Sequence, residues 1–406
     1  MHSDIISATT DRLRRYLIAL ACVGVLACGD SGTDVGSVTV TIEPLAGLAV
    51  GVGGRYDFLA VATDESGSLV TLAVREITWS IASSAIATID QNGLATGVSA
   101  GVTTVTASVG GASGTAQLEV YVPDLTSSFE VGTSYFGRNE YIEYIPGDLP
   151  LILSAPHGGA LQPAEAADRT FGVTGADRNT AELTLAVREA LIEQTGYAPH
   201  VIISHLHRSK LDPNREIVEA AQDDPFAENA WHEFQNWITS ARAIAEGDFG
   251  GGLYFDMHGH GHSVPRVELG YLLSSARLNG PDDELNNLTT VQLTSIRELG
   301  RVRPSTFAEL LRGETSLGGF LADEGVESVP SPASPGPGTD AYFTGGYNTR
   351  QHGSRADSEL VSGIQLEHQF PGLRDTDAHR REYADQLARA VRLYMLEHFG
   401  YFEPQG

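Results

Sequence analysis

Apolar residues recur along this chain with two different spacings, and the change between them divides it. From residue 37 to 122 they alternate with polar ones, as in Val38-Thr39-Val40-Thr41-Ile42, Tyr56-Asp57-Phe58-Leu59-Ala60-Val61 and Thr104-Val105-Thr106-Ala107-Ser108-Val109. A period of two is the mark of a strand buried on one face. Turn-forming residues separate these runs at short intervals, which predicts a β-sandwich. From residue 123 onward, short continuous apolar runs replace the alternation: Leu149–Ser154, Val201–Ser204, Leu253–Asp256, Leu269–Leu273 and Ile364–Leu366. Helical faces lie between them. Leu183, Val187, Ala190 and Leu191 share one, and Trp231, Phe234, Ile238, Ala241 and Ala245 share another. A terminal helix is predicted from near Asp375 to Phe399, with Gly400 as its stop. Strands interleaved with helices predict an α/β domain with a largely buried sheet, whose functional residues gather at one end of the strands.

The first 28 residues carry a different pattern. Arg12, Arg14 and Arg15 precede an apolar run from Tyr16 to Ala27, long enough for a secretory core and too short to span a bilayer. The run ends Val25-Leu26-Ala27-Cys28 and gives way to Gly29-Asp30-Ser31-Gly32. Small and apolar residues before a cysteine, with a polar tail after it, resemble the lipobox of bacterial lipoproteins. The resemblance implies lipidation at Cys28, removal of the leader and a place in the cell envelope, outside the cytoplasm. The expected order is thus a leader (1–28), a linker (29–36), a sandwich (37–122) and an α/β domain (123–406).

Composition narrows the chemistry. A net charge of −26 on 406 residues argues against nucleic acid as a partner, and against contact with an anionic membrane other than through a lipid anchor. Both cysteines, Cys22 and Cys28, fall in the leader. The body that remains has no thiolate to offer, so a metal would be held by His, Asp and Glu.

Within the sandwich, Ile77-Thr78-Trp79-Ser80-Ile81 followed by Ile86-Ala87-Thr88-Ile89-Asp90-Gln91-Asn92-Gly93-Leu94-Ala95-Thr96-Gly97 resembles bacterial Ig-like domains of group 2. Such modules serve as spacers or adhesive units on surface proteins. Gly97-Val98-Ser99-Ala100-Gly101 matches a Gly-x-Ser-x-Gly nucleophile elbow, but that device needs a helix after the serine. Here a β-rich stretch follows, so Ser99 is expected in a turn.

Four segments of the α/β domain carry candidate chemistry. Pro156-His157-Gly158-Gly159 sets a histidine after a buried strand, beside two glycines that permit close approach. Asp256-Met257-His258 sets another where a strand is expected to run out into a glycine-rich loop, with a carboxylate close enough to orient it. A third metal ligand is expected near the helix after His157, where Glu165, Asp168, Asp177 and Glu182 compete. Asn179 and Glu182 fit a capping box, which leaves Asp177 preferred. Arg208-Ser209-Lys210-Leu211-Asp212-Pro213-Asn214-Arg215 offers an amide and a guanidinium suited to a carboxylate, with Arg208 and Asp212 pairing to shape the loop. Gln365-Leu366-Glu367 ends a predicted strand on a candidate general base. His260 and His262 are expected in the loop or behind the ligands, since a catalytic zinc keeps a position open.

Together these segments resemble N-formylglutamate amidohydrolases and the wider group of zinc carboxypeptidase-like hydrolases, over roughly residues 149–370. The resemblance implies a mixed-sheet α/β/α fold, one zinc, and hydrolysis of an amide beside a carboxylate. It assigns His157, Asp177 and His258 to the metal, Asn214 and Arg215 to the substrate carboxylate, and Glu367 to base catalysis. With the leader, it points to an extracytoplasmic N-acyl amino acid, γ-glutamyl amide or peptide as substrate. The competing expectation is a surface binding or adhesion protein whose α/β domain no longer catalyses. The Pro/Gly-rich stretch Val329–Thr339 and the segment Tyr342–Asn348 after it are open to two readings, a lid or a passive loop.

Overall fold

The computed structural model describes residues 38–43, 48–52, 55–65, 69–70, 77–121, 129–302, 306–354 and 359–402. The leader with Cys22 and Cys28, and the 29–36 linker, lie outside the described residues.

Residues 39–121 form three small sheets of three, four and three strands around one apolar core. Ile42, Trp79, Ala95, Val105, Ala107 and Leu118 are among its buried members, each contributed by the inward positions of an alternating run. The run Tyr56–Val61 is not one strand. It breaks at Phe58, whose N–H donates to the Gly93 carbonyl, so Arg55–Asp57 and Leu59–Thr63 join different sheets. Ser99 lies in the turn between Leu94–Gly97 and Gly101–Val109, its hydroxyl donating to the Ala85 carbonyl.

The second domain is built on an eight-stranded mixed sheet. In chain order its strands are β1 (Tyr135–Phe136), β2 (Ile142–Ile145), β3 (Leu151–Ala155), β4 (His200–Ser204), β5 (Gly252–His260), β6 (Val267–Gly270), β7 (Ser328–Val329) and β8 (Val361–Gln369). Their order across the sheet is β1-β2-β4-β3-β5-β8-β6-β7. The central four, β4, β3, β5 and β8, run parallel, while β2 and β6 flank them antiparallel.

Alternation along these strands feeds two cores. Leu151, Leu153, Leu253, Phe255, Ile364 and Leu366 face helices α1 (Thr180–Thr195) and α4 (Asp377–Phe399). Ile152, Ile202 and Tyr254 face α2 (Pro225–Phe249) through Phe234, Ile238, Ala241 and Ala245. A short helix, α3 (Tyr347–His352), packs near β8 and β5. Burial on both faces explains why these strands read as continuous apolar runs. Helix α4 ends at Gly400 in the left-handed conformation, φ 72°, where glycine is favoured.

Two predicted boundaries move. Both β5 and β8 continue past their apolar runs, to His260 and Gln369, because nine residue pairs link them from Gly252↔Val361 to His260↔Gln369. His258 and Glu367 therefore lie within strands, not at their ends, and are paired with one another.

Candidate metal centre

Toward the carboxyl ends of β5 and β8, one face of the sheet changes from apolar to polar. Positions 254, 256, 258 and 260 of β5 share a face, as do 365 and 367 of β8. The next strand over, β3, supplies Ser154 to the same face and then delivers His157 from the loop beyond it. The glycines after His157 allow that loop its path. A Cβ on Gly158 would lie 2.5 Å from the Ala181 amide nitrogen, and one on Gly159 2.3 Å from the His205 carbonyl. The Asp177 N–H donates to the His157 carbonyl at 3.0 Å, which ties the approach to α1 onto the same loop.

These constraints bring three donor atoms into a small triangle. His157 Nδ1 lies 3.1 Å from His258 Nδ1, and Asp177 Oδ2 lies 3.1 Å from the first and 3.2 Å from the second. Each imidazole is engaged from behind by a fully buried carboxylate. Asp212 Oδ1 lies 2.6 Å from His157 Nε2, and Asp256 Oδ2 lies 2.8 Å from His258 Nε2. Ser154 Oγ donates to Asp256 Oδ1 at 2.7 Å, and Arg208 Nε donates to Asp212 Oδ2 at 2.9 Å.

The donor set fits a cation. With a proton on each outer nitrogen, directed at its carboxylate, both Nδ1 atoms present lone pairs to each other and to a carboxylate oxygen. Three negative ends at such distances repel unless something positive sits among them, and a divalent ion about 2 Å from each would do so. The pKa directions express the same field. Burial opposes charge on His258, but Asp256 and Asp177 outweigh it and hold the imidazole well above its ordinary range. Burial likewise opposes ionisation of Asp177, yet His157 and His258 hold it well below the usual carboxylate range. Asp212 is driven low against its burial by His157 and Arg208.

Glu367 stands beside this triangle with its carboxylate nearly out of solvent. Gln365 Nε2 donates to its Oε1 at 2.8 Å, and its Oε2 is buried with no hydrogen-bond partner among the described residues. Burial pushes the Glu367 carboxyl up to about 7; the Asp177 and Glu268 charges push the same way, and His258 pulls against them.

The competitors of Asp177 lie elsewhere. Glu165 accepts from the Tyr141 hydroxyl, Asp168 pairs with Lys210, and Glu182 is exposed in the first turn of α1. The capping box is absent. Asn179 has φ 66° and no capping bond, and its Nδ2 donates instead to the Arg374 carbonyl. Arg208 and Asp212 do pair, but Arg208 also reaches Asp177 Oδ1 at 3.5 Å, so it helps to charge the centre.

Asn214 and Arg215 are not arranged as the resemblance implies. Asn214 is buried, with Nδ2 3.1 Å from His258 Nε2 and Oδ1 accepting the Asn348 N–H at 2.8 Å. Arg215 turns to Glu219 and to the Asn214 carbonyl. The residue that sequence reasoning passed over is Arg178. It is exposed, directly follows Asp177, and lies 4.5 Å above the Phe370 ring, with no ion pair among the described residues. Arg374, buried and donating to the His368, Arg178 and His260 carbonyls, lies over the same ring at 5.0 Å. An arginine next to a candidate ligand position is the one signal in the sequence that could have drawn attention to Arg178. Asn348, which bonds both Asn214 and Asp256, left none.

Comparison with known proteins places the first domain. Residues 34–120 match the family model of the bacterial Ig-like domain (group 2). The N-terminal module is Ig-like. A stretch of 111 residues is 35% identical to Ice-binding protein 1 of Shewanella frigidimarina, covering 25% of this chain and 12% of that protein. Among solved structures, a gene product of Agrobacterium tumefaciens aligns over 64% of this chain and 97% of its own, at 11% identity and a TM-score of 0.38. A metallo-carboxypeptidase from Pseudomonas aeruginosa aligns over 64% of this chain and 61% of its own, at 11% identity and a TM-score of 0.32.

Proposed function

We propose that the α/β domain is a metal-dependent amidohydrolase that cleaves an amide bond next to a carboxylate, and that the leader tethers it to the cell envelope through lipid on Cys28. The observation that carries the reading is the triangle of His157 Nδ1, His258 Nδ1 and Asp177 Oδ2, with sides of 3.1–3.2 Å and a buried carboxylate behind each imidazole. One zinc ion fits this set, and when bound it would supply Lewis-acid polarisation of the scissile carbonyl.

The chain's own groups divide the remaining work. Glu367, with its pKa near 7 and an unpartnered Oε2, takes a proton from the attacking water and hands it to the departing nitrogen. Asp212 and Asp256 keep the two imidazoles in the tautomer that leaves Nδ1 free as a donor. Asn348 donates to Asp256 Oδ1 and is held in turn by Asn214, which accepts its N–H, so the pair steadies the carboxylate behind His258. Arg178, exposed, next in sequence to Asp177 and stacked on Phe370, is the group available to hold a free carboxylate. Substrates of this kind include N-acyl amino acids, γ-glutamyl amides and peptides with a free C-terminus, met outside the cytoplasm.

The test is a panel of such amides assayed with the zinc-loaded wild type and with Glu367→Gln. Hydrolysis of at least one by wild type, lost in a variant that keeps its metal, supports the reading. Metal binding with no hydrolysis anywhere in the panel would turn it toward a surface binding protein.

A further inference from the structure

Strand β5 presents a second histidine two residues after His258 on the same face, and the loop beyond it presents a third. His260 is buried, His262 is 22% exposed at its side chain, and the Glu268 side chain on β6 is fully buried. One donor atom from each lies within 4.8 Å of the other two. This cluster shares no residue with the His157, Asp177 and His258 triangle. The two flank Glu367, which pairs with His258 on one side and with Glu268 on the other.

The surroundings of each donor point to a bound cation. Glu268 has neither solvent nor, among the described residues, a Lys or Arg within ion-pair distance. Its two oxygens meet His262 Nδ1 at 2.8 Å and the Phe343 N–H at 2.8 Å. A carboxylate taken wholly out of water calls for a compensating positive charge, and an imidazole and an amide are a weak substitute for one. His260 Nε2 lies 2.7 Å from the Arg266 carbonyl, which can only accept, so that nitrogen carries the proton and Nδ1 keeps its lone pair. A backbone carbonyl behind one ring nitrogen is how metal-binding histidines are commonly oriented. Among the described residues, the His262 N–H, at 3.2 Å, is the one hydrogen-bond donor to that Nδ1. The His262 ring is held by stacking on Phe343, with centroids 4.6 Å apart and planes at 17°. Phe343 thus fixes two of the three donors, one through its ring and one through its backbone.

We infer that His260, His262 and Glu268 form a second divalent-cation site, separate from the catalytic centre proposed above. Two imidazole nitrogens and one carboxylate oxygen suit zinc or a similar borderline ion better than magnesium or calcium, which favour all-oxygen shells. Because His262 and Phe343 both reach solvent, the ion exchanges there more readily than at the buried triangle. The site stands on its own residues and survives failure of the hydrolase reading.

Zinc content of the full chain, measured by mass spectrometry after equilibration with zinc and removal of the excess, tests it beside His262→Ala, His258→Ala and the double variant. The expected result is about two ions per wild-type chain, about one in each single variant and none in the double. Circular dichroism melts verify folding, and His262→Gln replaces His262→Ala should the latter unfold. A single ion in wild type, lost in His258→Ala and kept in His262→Ala, overturns the second site and leaves the hydrolase reading intact. A single ion with the opposite pattern supports the second site and sinks that reading. No ion in wild type overturns both.

Discussion

His157 and His258 face each other through their Nδ1 atoms at 3.1 Å, although 101 residues separate them in the chain. Neither could hold that position against the other's lone pair if its ring were free to turn. Asp212 and Asp256 prevent the turn, and they do so from fully buried positions where a carboxylate interacts most strongly.

Asp256→Asn removes the charge behind His258 while retaining a group that Ser154 can meet. Zinc affinity, measured by competition with a chromophoric chelator, is expected to fall about 10–100-fold. An unchanged affinity would mean that Asp256 serves only the packing of β5.

Glu367→Gln keeps the shape of the side chain and its bond to Gln365. The rate of amide hydrolysis under saturating substrate is expected to drop by about 10²–10⁴-fold, with metal content unchanged. Retained activity would remove Glu367 from proton transfer.

Arg178→Ala is expected to raise KM for substrates bearing a free carboxylate by about 10–100-fold, the equivalent of one charged hydrogen-bonded contact, with kcat little altered. Arg178→Lys should recover part of the loss. The corresponding carboxamide substrates should not respond to either change; if they do, the arginine is not acting on the carboxylate.

Glu233 offers a test unconnected with catalysis. Burial pushes its carboxyl up from 4.5 to about 7, against the Arg138 N–H that donates to it. In the unfolded chain the group ionises near its ordinary pKa, so between about 4.5 and 7 the folded state binds more protons and stability falls as pH rises. Glu233→Gln cannot ionise. It should melt with wild type near pH 4 and be more stable at pH 8, by at most about 3 kcal/mol. Equal melting temperatures at both pH values would show that Glu233 ionises freely in the fold.

Periodicity alone carried most of the architecture. Alternation in residues 37–122 and continuous apolar runs beyond them follow from whether a strand is covered on one face or two, and that is written locally. The terminal helix and its glycine stop were legible for the same reason. The break at Phe58 was not, because it depends on a bond to Gly93, 35 residues away. Nor were the true ends of β5 and β8, which are extended by their mutual ladder and not by their own apolar content.

At the centre, residue types and their order were enough to nominate His157, Asp177, His258 and Glu367, since strand-adjacent histidines and carboxylates are visible in a linear text. Which atoms face one another was decided only by folding. Asn214 and Arg215 resemble a carboxylate grip in sequence, yet the structure turns one behind His258 and the other onto Glu219. Asn348 acquires its place through Asn214, 134 residues away, Glu268 through Phe343, 75 residues away, and Arg178 through Phe370, 192 residues away. Sequence spacing sets what a segment can offer. The direction in which each side chain points is a property of the packed sheet, where a one-residue change of register would carry every group to the opposite face.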